Sequence, residues 1–284
     1  MPGYEWDLVG QGTLSRDEEA DAGRAANDYS VSLISKGNAL QGSATLVSIG
    51  KIHGLLTADH VWHHMPKGKA NDHFCMVLGP HLQRFEYPFK KCTPIIVGRY
   101  SPDHEEEGPD LAFIRLDDPL KLETIRARKS FYLLDAKGSM FDRMDYKRME
   151  WLVWGAPAEQ STRTATQTGE PILRVTHFTG GGEFKEKTER GGFDYVKIRI
   201  PSGSYNFPSE YKGVSGGGVW IPIRYSEDPE GRILHPTASV LLAGVAYFQI
   251  EEEVDYKTLI LHGPKSIYDR VMHEVLHFDE SGTT

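Results

Sequence analysis

Gly213-Val214-Ser215-Gly216-Gly217-Gly218-Val219-Trp220 sets one serine in a glycine-rich turn that runs straight into an apolar strand. Glycine on both sides of Ser215 suits a tight turn that brings backbone amides close to a bound group, where a Cβ would obstruct the approach. Alone, such a stretch is an ordinary hairpin tip, so its meaning depends on what precedes it. Upstream lie two further short patterns. Gly42-Ser43-Ala44-Thr45-Leu46-Val47 and Leu55-Leu56-Thr57-Ala58-Asp59-His60-Val61 read as two strands joined near Gly50, the second delivering a histidine after a small-residue pair. Asp110-Leu111-Ala112-Phe113-Ile114-Arg115-Leu116 places an acid at the mouth of an apolar strand, where Gly108-Pro109 before it also permits a plain turn role.

Around these three patterns the chain breaks into short β-rich runs separated by Gly, Pro and Asn, the signature of an all-β sandwich or barrel. The expected strands are 29–35, 42–49, 53–58, 73–78, 85–99, 111–116, 150–154, 171–178, 193–200, 217–223 and 239–250. Residues 1–28 read as a polar N-terminal arm with a short helix from Ser15 to Ala26, and 118–149 as a connection between two β units covering 29–117 and 150–263. Gly180–Gly182 reads as a turn and Ser226 to Pro236 as a surface loop. In the last segment, 264–284, Ile267, Val271 and Val275 recur every four residues, which predicts a closing amphipathic helix over Ser266 to Phe278.

The order His, Asp, Ser, with these three flanking patterns, resembles the chymotrypsin/trypsin family of serine peptidases over about residues 29–278, closely only in the motifs. That resemblance implies an all-β double six-stranded barrel with a C-terminal helix. It implies a cleft that brings together His60 and Asp110 from the first barrel and Ser215 from the second as a catalytic triad. The triad needs these residue types because a serine hydroxyl is a poor nucleophile at neutral pH. An imidazole must take its proton, and a carboxylate must hold that imidazole in one tautomer and stabilise its charged form.

By the same carry-over the N–H groups of Gly213 and Ser215 form the oxyanion hole. Ser209 and Glu210 lie at the specificity pocket, and Gly244, Val245, Ala246, Tyr247 and Phe248 belong to the strand that pairs with substrate. Ser209 suits an apolar side chain, whereas Glu210 turned inward would favour Lys or Arg; Tyr247, Phe248 and Gln249 narrow the pocket. Val214 stands where the digestive enzymes carry an aspartate that pairs with a freed N-terminus, so activity without N-terminal cleavage is expected. The implied activity is endopeptidase hydrolysis of proteins or peptides, without cofactor. A peptide-holding scaffold and an esterase on the same fold are the competing functions, and a regulatory protein partner is left open.

Composition bounds the rest. The 284 residues, 39% hydrophobic, suffice for one double-layered core or two small ones. Forty acidic against 32 basic residues give a net charge of -8, which argues against nucleic acid and anionic membranes as partners. Met1 to Gly10 lacks a basic start followed by an apolar run, and only Cys75 and Cys92 are present; a cytoplasmic location with two free, partly buried thiols is expected, although neighbouring strands would let them pair. His60, His63 and His64 invite a zinc reading, since His60 and His64 would share a face on a helix. No helix is expected after Asp59 and no carboxylate has a clear spacing, so no metal is expected and His63 and His64 are read as structural or solvent-facing.

Overall fold

The computed structural model describes residues 15–37, 39–68, 72–79, 84–135, 138–165, 171–204, 207–223 and 239–281. The Ser226–Pro236 loop and the first fourteen residues of the arm therefore lie outside the described residues. Helix α1 (Arg16–Tyr29) begins with a full capping box: Glu18 N–H donates to the Ser15 hydroxyl, and the Glu18 carboxylate accepts the Ser15 N–H. Asp17, Glu18 and Glu19 sit at the positive end of its dipole, and Ala22 and Ala26, four apart, are its buried face.

Eight strands follow in the first half: β1 (Ser30–Ile34), β2 (Leu40–Ile49), β3 (Ile52–Thr57), β4 (His73–Val77), β5 (Arg84–Pro88), β6 (Cys92–Gly98), β7 (Leu111–Leu116) and β8 (Tyr132–Leu133). They form one sheet in the order β5-β4-β1-β2-β3-β7-β6, with β8 added in parallel to β2. This half is a curled sheet whose end strands β5 and β6 are not paired with each other. The expected single run 85–99 is two strands, because Pro88 has no N–H to extend the ladder and the chain turns through Phe89–Lys91. Pro94 likewise sits on β6 at the sheet edge, where its missing donor costs least.

The second half holds β9 (Trp151–Gly155), β10 (Thr162–Ala165), β11 (Pro171–Arg174), β12 (Phe178–Arg190), β13 (Phe193–Pro201), β14 (Gly218–Ile223), β15 (Ser239–Glu253) and β16 (Tyr256–His262). Six of them close into a barrel, β12-β13-β16-β15-β14-β9, while β10 and β11 form a separate hairpin. Two expectations change here. Gly180–Gly182 is not a turn but part of β12, paired with Trp151–Val153; a Cβ on Gly180 would lie 2.2 Å from the Phe178 ring, so glycine there makes room for packed aromatics. The run 171–178 divides between β11 and the start of β12, and β16 is a strand the polar flanks of its apolar centre had concealed.

The connection 118–149 is not featureless. It contains α3 (Pro119–Arg126), opened by Asp118 capping the N–H groups of Leu120 and Lys121, and it lends β8 to the first sheet. A one-turn helix, α2 (Asp59–His63), follows β3, contrary to the expectation of no helix after Asp59. It forms because Asp110 accepts the otherwise orphaned N–H of His60, a cap supplied from far along the chain. At the end, a widened turn (Ser266–Val271) leads into α4 (Met272–Ser281), with Ile267, Val271 and Val275 fully buried. The fully buried Asp194 carboxylate anchors it by accepting Ser266 N–H and Oγ–H, both at 2.7 Å, and by pairing with Lys187 at 3.2 Å. No helix among the described residues is long and apolar enough to cross a membrane.

Candidate active site

His60 enters from α2, directly after the buried end of β3, and Asp110 from the start of β7, the neighbouring strand. One carboxylate therefore grips one residue twice: Asp110 Oδ1 accepts His60 N–H at 2.9 Å and Oδ2 accepts the ring Nδ1–H at 2.5 Å. With Nδ1 turned to the carboxylate, Nε2 is the ring nitrogen left for another partner. Asp110 is almost fully buried, so the pair is screened little by solvent.

A residue that the sequence reading missed supports Asp110 from behind. His262, the last residue of β16, is fully buried; its Nε2 accepts Asp110 N–H at 3.0 Å, and its ring stacks on Tyr247 with centroids 4.7 Å apart. Burial drives its pKa down to about 4, so the ring is neutral, which is the state an acceptor Nε2 requires. Nothing local marks His262 in sequence; only the barrel brings it to Asp110, 152 residues away.

Ser215 lies in the turn before β14. Its geometry is enforced by close packing from both halves of the molecule. Gly213 has φ +91° and Gly216 φ +82°, both in the region that favours glycine. A Cβ on Gly213 would sit 2.4 Å from the Ala156 carbonyl oxygen, and one on Gly216 would sit 2.1 Å from both Ser43 O and Thr57 Oγ1. Ser43 staples this turn: its Oγ donates to Gly213 O at 2.8 Å and accepts Ala156 N–H at 3.1 Å, while its N–H donates to Ser215 O at 2.9 Å. The Gly42-Ser43 pair was quoted in the sequence for its strand, not for this role.

Lys212 O accepts Ala158 N–H at 2.7 Å. Because a trans peptide points its C=O and N–H in opposite directions, the N–H of Gly213 faces away from Ala158. Neither that N–H nor the N–H of Ser215 has a hydrogen-bond partner among the described residues. The Ser215 hydroxyl donates to Tyr247 O at 3.4 Å, a long bond; no bond between Ser215 and His60 is described.

His60, Asp110 and Ser215 nevertheless line one cavity of about 270 Å³ together with Tyr100, Glu105, Tyr211, Lys212, Val214, Ala246, Tyr247, Phe248, Gln249 and Leu259. Of the substrate-side residues expected from sequence, Ala246, Tyr247 and Phe248 line it; Gly244 and Val245 are covered within the barrel, where they pair with β14. Ser209 and Glu210 lie outside the lining. Ser209 is drawn to Glu159, whose carboxylate accepts both its N–H and its hydroxyl at 2.6 Å. Glu210 accepts from Gln249 Nε2 at 2.5 Å and from Lys257 Nζ at 3.5 Å, and the hydrogen bond from Gln249 leads in holding its pKa below the usual range. Gln249 in turn accepts Tyr211 N–H at 2.8 Å.

Among the three neighbouring histidines, the rings of His60 and His64 are 6.1 Å apart, and both lie 5.5 Å from the ring of Tyr100. Cys75 and Cys92 are both free thiols.

A closed six-stranded barrel, a curled sheet beside it and a C-terminal helix define the class: the architecture matches the double-barrel chymotrypsin-like fold, and the cavity draws its lining from both halves. No protein-family model matches the chain, and no curated protein matches it. Among solved structures, that of Rv3671c from M. tuberculosis H37Rv, a serine-to-alanine mutant in an inactive form, is similar over 96% of this chain and 98% of that one, with 13% sequence identity and a TM-score of 0.46.

Proposed function

We propose that the protein is a serine endopeptidase with His60, Asp110 and Ser215 as its triad. The observation that carries this reading is the double grip of Asp110 on His60 in the same cavity as a serine whose turn leaves two backbone N–H groups unpartnered. In this mechanism Ser215 Oγ attacks the scissile carbonyl while His60 Nε2 takes its proton. The carbonyl oxygen, now negative, is held by the N–H groups of Gly213 and Ser215, and His60 then passes the proton to the leaving amine. Water, activated by the same imidazole, releases the acyl group. A rotation about the Ser215 side chain, trading its 3.4 Å bond to Tyr247 O for one to His60, precedes attack.

Substrate binding by strand addition is supported along β15. The ladder with β14 ends at Val245, the turn at Gly216 and Gly217 holds Ala246, and a bulge follows between Ala246 and Phe248. The residue before the scissile bond would be neutral and apolar. Val214, Ala246, Phe248 and Leu259 form the apolar part of the cavity lining, Glu105 and Lys212 add one charge of each sign to it, and the one carboxylate expected to select Lys or Arg, Glu210, is already matched by Lys257 and Gln249. Val214 is buried so tightly against Gly155 that a Cβ on that glycine would fall 2.8 Å from it, which supports activity without a freed N-terminus. Two unpaired thiols support a cytoplasmic location.

One observation favours a second reading, a peptide-holding scaffold: the Ser215 hydroxyl is directed to Tyr247 O rather than to His60. Labelling with a fluorophosphonate separates the two, because only an activated serine reacts. Labelling of the full chain that disappears in Ser215→Ala, together with cleavage of an unfolded protein, supports the peptidase; no labelling of the wild type overturns it.

A further inference from the structure

At the edge of the first sheet, away from the triad's own elements, the β4–β5 hairpin brings three metal-capable side chains together. Cys75 pairs directly with Glu86 across the ladder, and His73, two residues before Cys75, points to the same face. One donor atom from each of His73, Cys75 and Glu86 lies within 4.8 Å of the others. We propose that these three residues form a binding site for one zinc-class divalent cation, with the fourth position left to water.

Three features carry the inference. The first is spacing: His73 Nε2 and Glu86 Oε1 are 3.4 Å apart, long for a hydrogen bond but equal to the edge of a tetrahedron whose bonds are about 2.1 Å. The second is orientation. Asp72 Oδ1 accepts His73 Nδ1–H at 2.8 Å, and the same oxygen receives Lys36 Nζ at 3.4 Å. A carboxylate on Nδ1 turns Nε2 toward Glu86, the arrangement by which outer carboxylates orient histidine ligands. A cation placed between Nε2 and Oε1 would be held by both.

The third feature is donor chemistry. One thiolate, one carboxylate and one imidazole cancel the charge of a divalent ion and suit zinc, cobalt or nickel; the sulfur disfavours magnesium and calcium. Cys75 is nearly buried. Binding replaces the S–H bond by an S–metal bond and releases that proton to solvent. Because β5 is the end strand of its sheet, a bound ion would clip it to β4 where it has no second neighbour.

The test is a titration of the metal-stripped full chain with Co²⁺. The expected result is a saturable thiolate-to-cobalt charge-transfer band at one equivalent, bleached by Zn²⁺, kept in Cys92→Ser and absent in Cys75→Ser. His73→Gln and Glu86→Gln retain the thiol and should weaken cobalt binding at least about tenfold, and Asp72→Asn by about 10- to 100-fold. Zn²⁺ should raise the melting temperature of the wild type but not of His73→Gln. An apparent Kd for cobalt weaker than about 1 mM, a band that survives in Cys75→Ser or vanishes in Cys92→Ser, or wild-type binding by both glutamine variants would each overturn the site.

Discussion

Replacing His262 by Gln offers a direct measure of what its burial costs. An unfolded chain protonates histidine near pH 6.5, whereas folded His262 resists until about pH 4. Between those values the unfolded state binds more protons. Stability is therefore full above pH 6.5, declines as pH falls through the window, and the whole contribution is gone below pH 4. Integrating between pH 7 and pH 5 gives a loss of about 2 kcal/mol from this one residue. His177, also lowered to about 4 chiefly by burial beside Trp154, adds a similar loss. The wild type should lose about 4 kcal/mol from these two groups over that interval, and His262→Gln about 2 kcal/mol. Carboxylates common to both proteins cancel in the comparison. Urea unfolding at pH 7 and pH 5, followed by tryptophan fluorescence, reads the difference.

The amide oxygen of Gln can still accept Asp110 N–H, so the variant should fold, losing the Tyr247 stacking worth about 1 kcal/mol at pH 7. His177→Gln serves as the control: it should show the same flattened pH dependence and wild-type peptide cleavage, since its ring pairs with Ser32 and not with the triad. An unchanged difference between pH 7 and pH 5 in His262→Gln would refute the assignment of a buried neutral ring.

Ser43→Ala should destabilise the protein by about 1–3 kcal/mol, because it leaves Gly213 O and Ala156 N–H without their partner; chemical denaturation checks the size, and loss of fluorophosphonate labelling would place the effect in the turn. Gly213→Ala should lower kcat by roughly 10²–10³-fold, since its Cβ would press on Ala156 O and displace one donor of the proposed oxyanion hole. Asp110→Asn should cost roughly 10⁴-fold in kcat by favouring the wrong tautomer of His60, with KM for a peptide substrate little changed. Peptides with Phe or Leu before the scissile bond should be cut faster than those with Lys or Arg, and a preference for basic residues in a cleavage-site profile would contradict the proposed apolar specificity.

The β character of the chain and the three short patterns that hold His60, Asp110 and Ser215 were legible in the sequence because each is local. Short β-rich runs broken by Gly, Pro and Asn, glycines around a serine and an acid before a strand need only a few neighbouring residues to be recognised. The short helix from Ser15 and the apolar spacing of Ile267, Val271 and Val275 were readable for the same reason. What tertiary structure decided was everything that depends on partners distant in the chain. α2 exists because a carboxylate fifty residues away caps it. Gly180–Gly182 became strand because Trp151–Val153 pairs with it, overriding the turn preference of glycine. Glu210, suggestive beside the motif in sequence, is matched by Gln249 and Lys257, 39 and 47 residues on, and so presents no unmatched charge to the cavity. Ser43 and His262 carry no local signal at all. A hydrogen bond is set by positions in space, and those positions follow only once both halves have folded against each other.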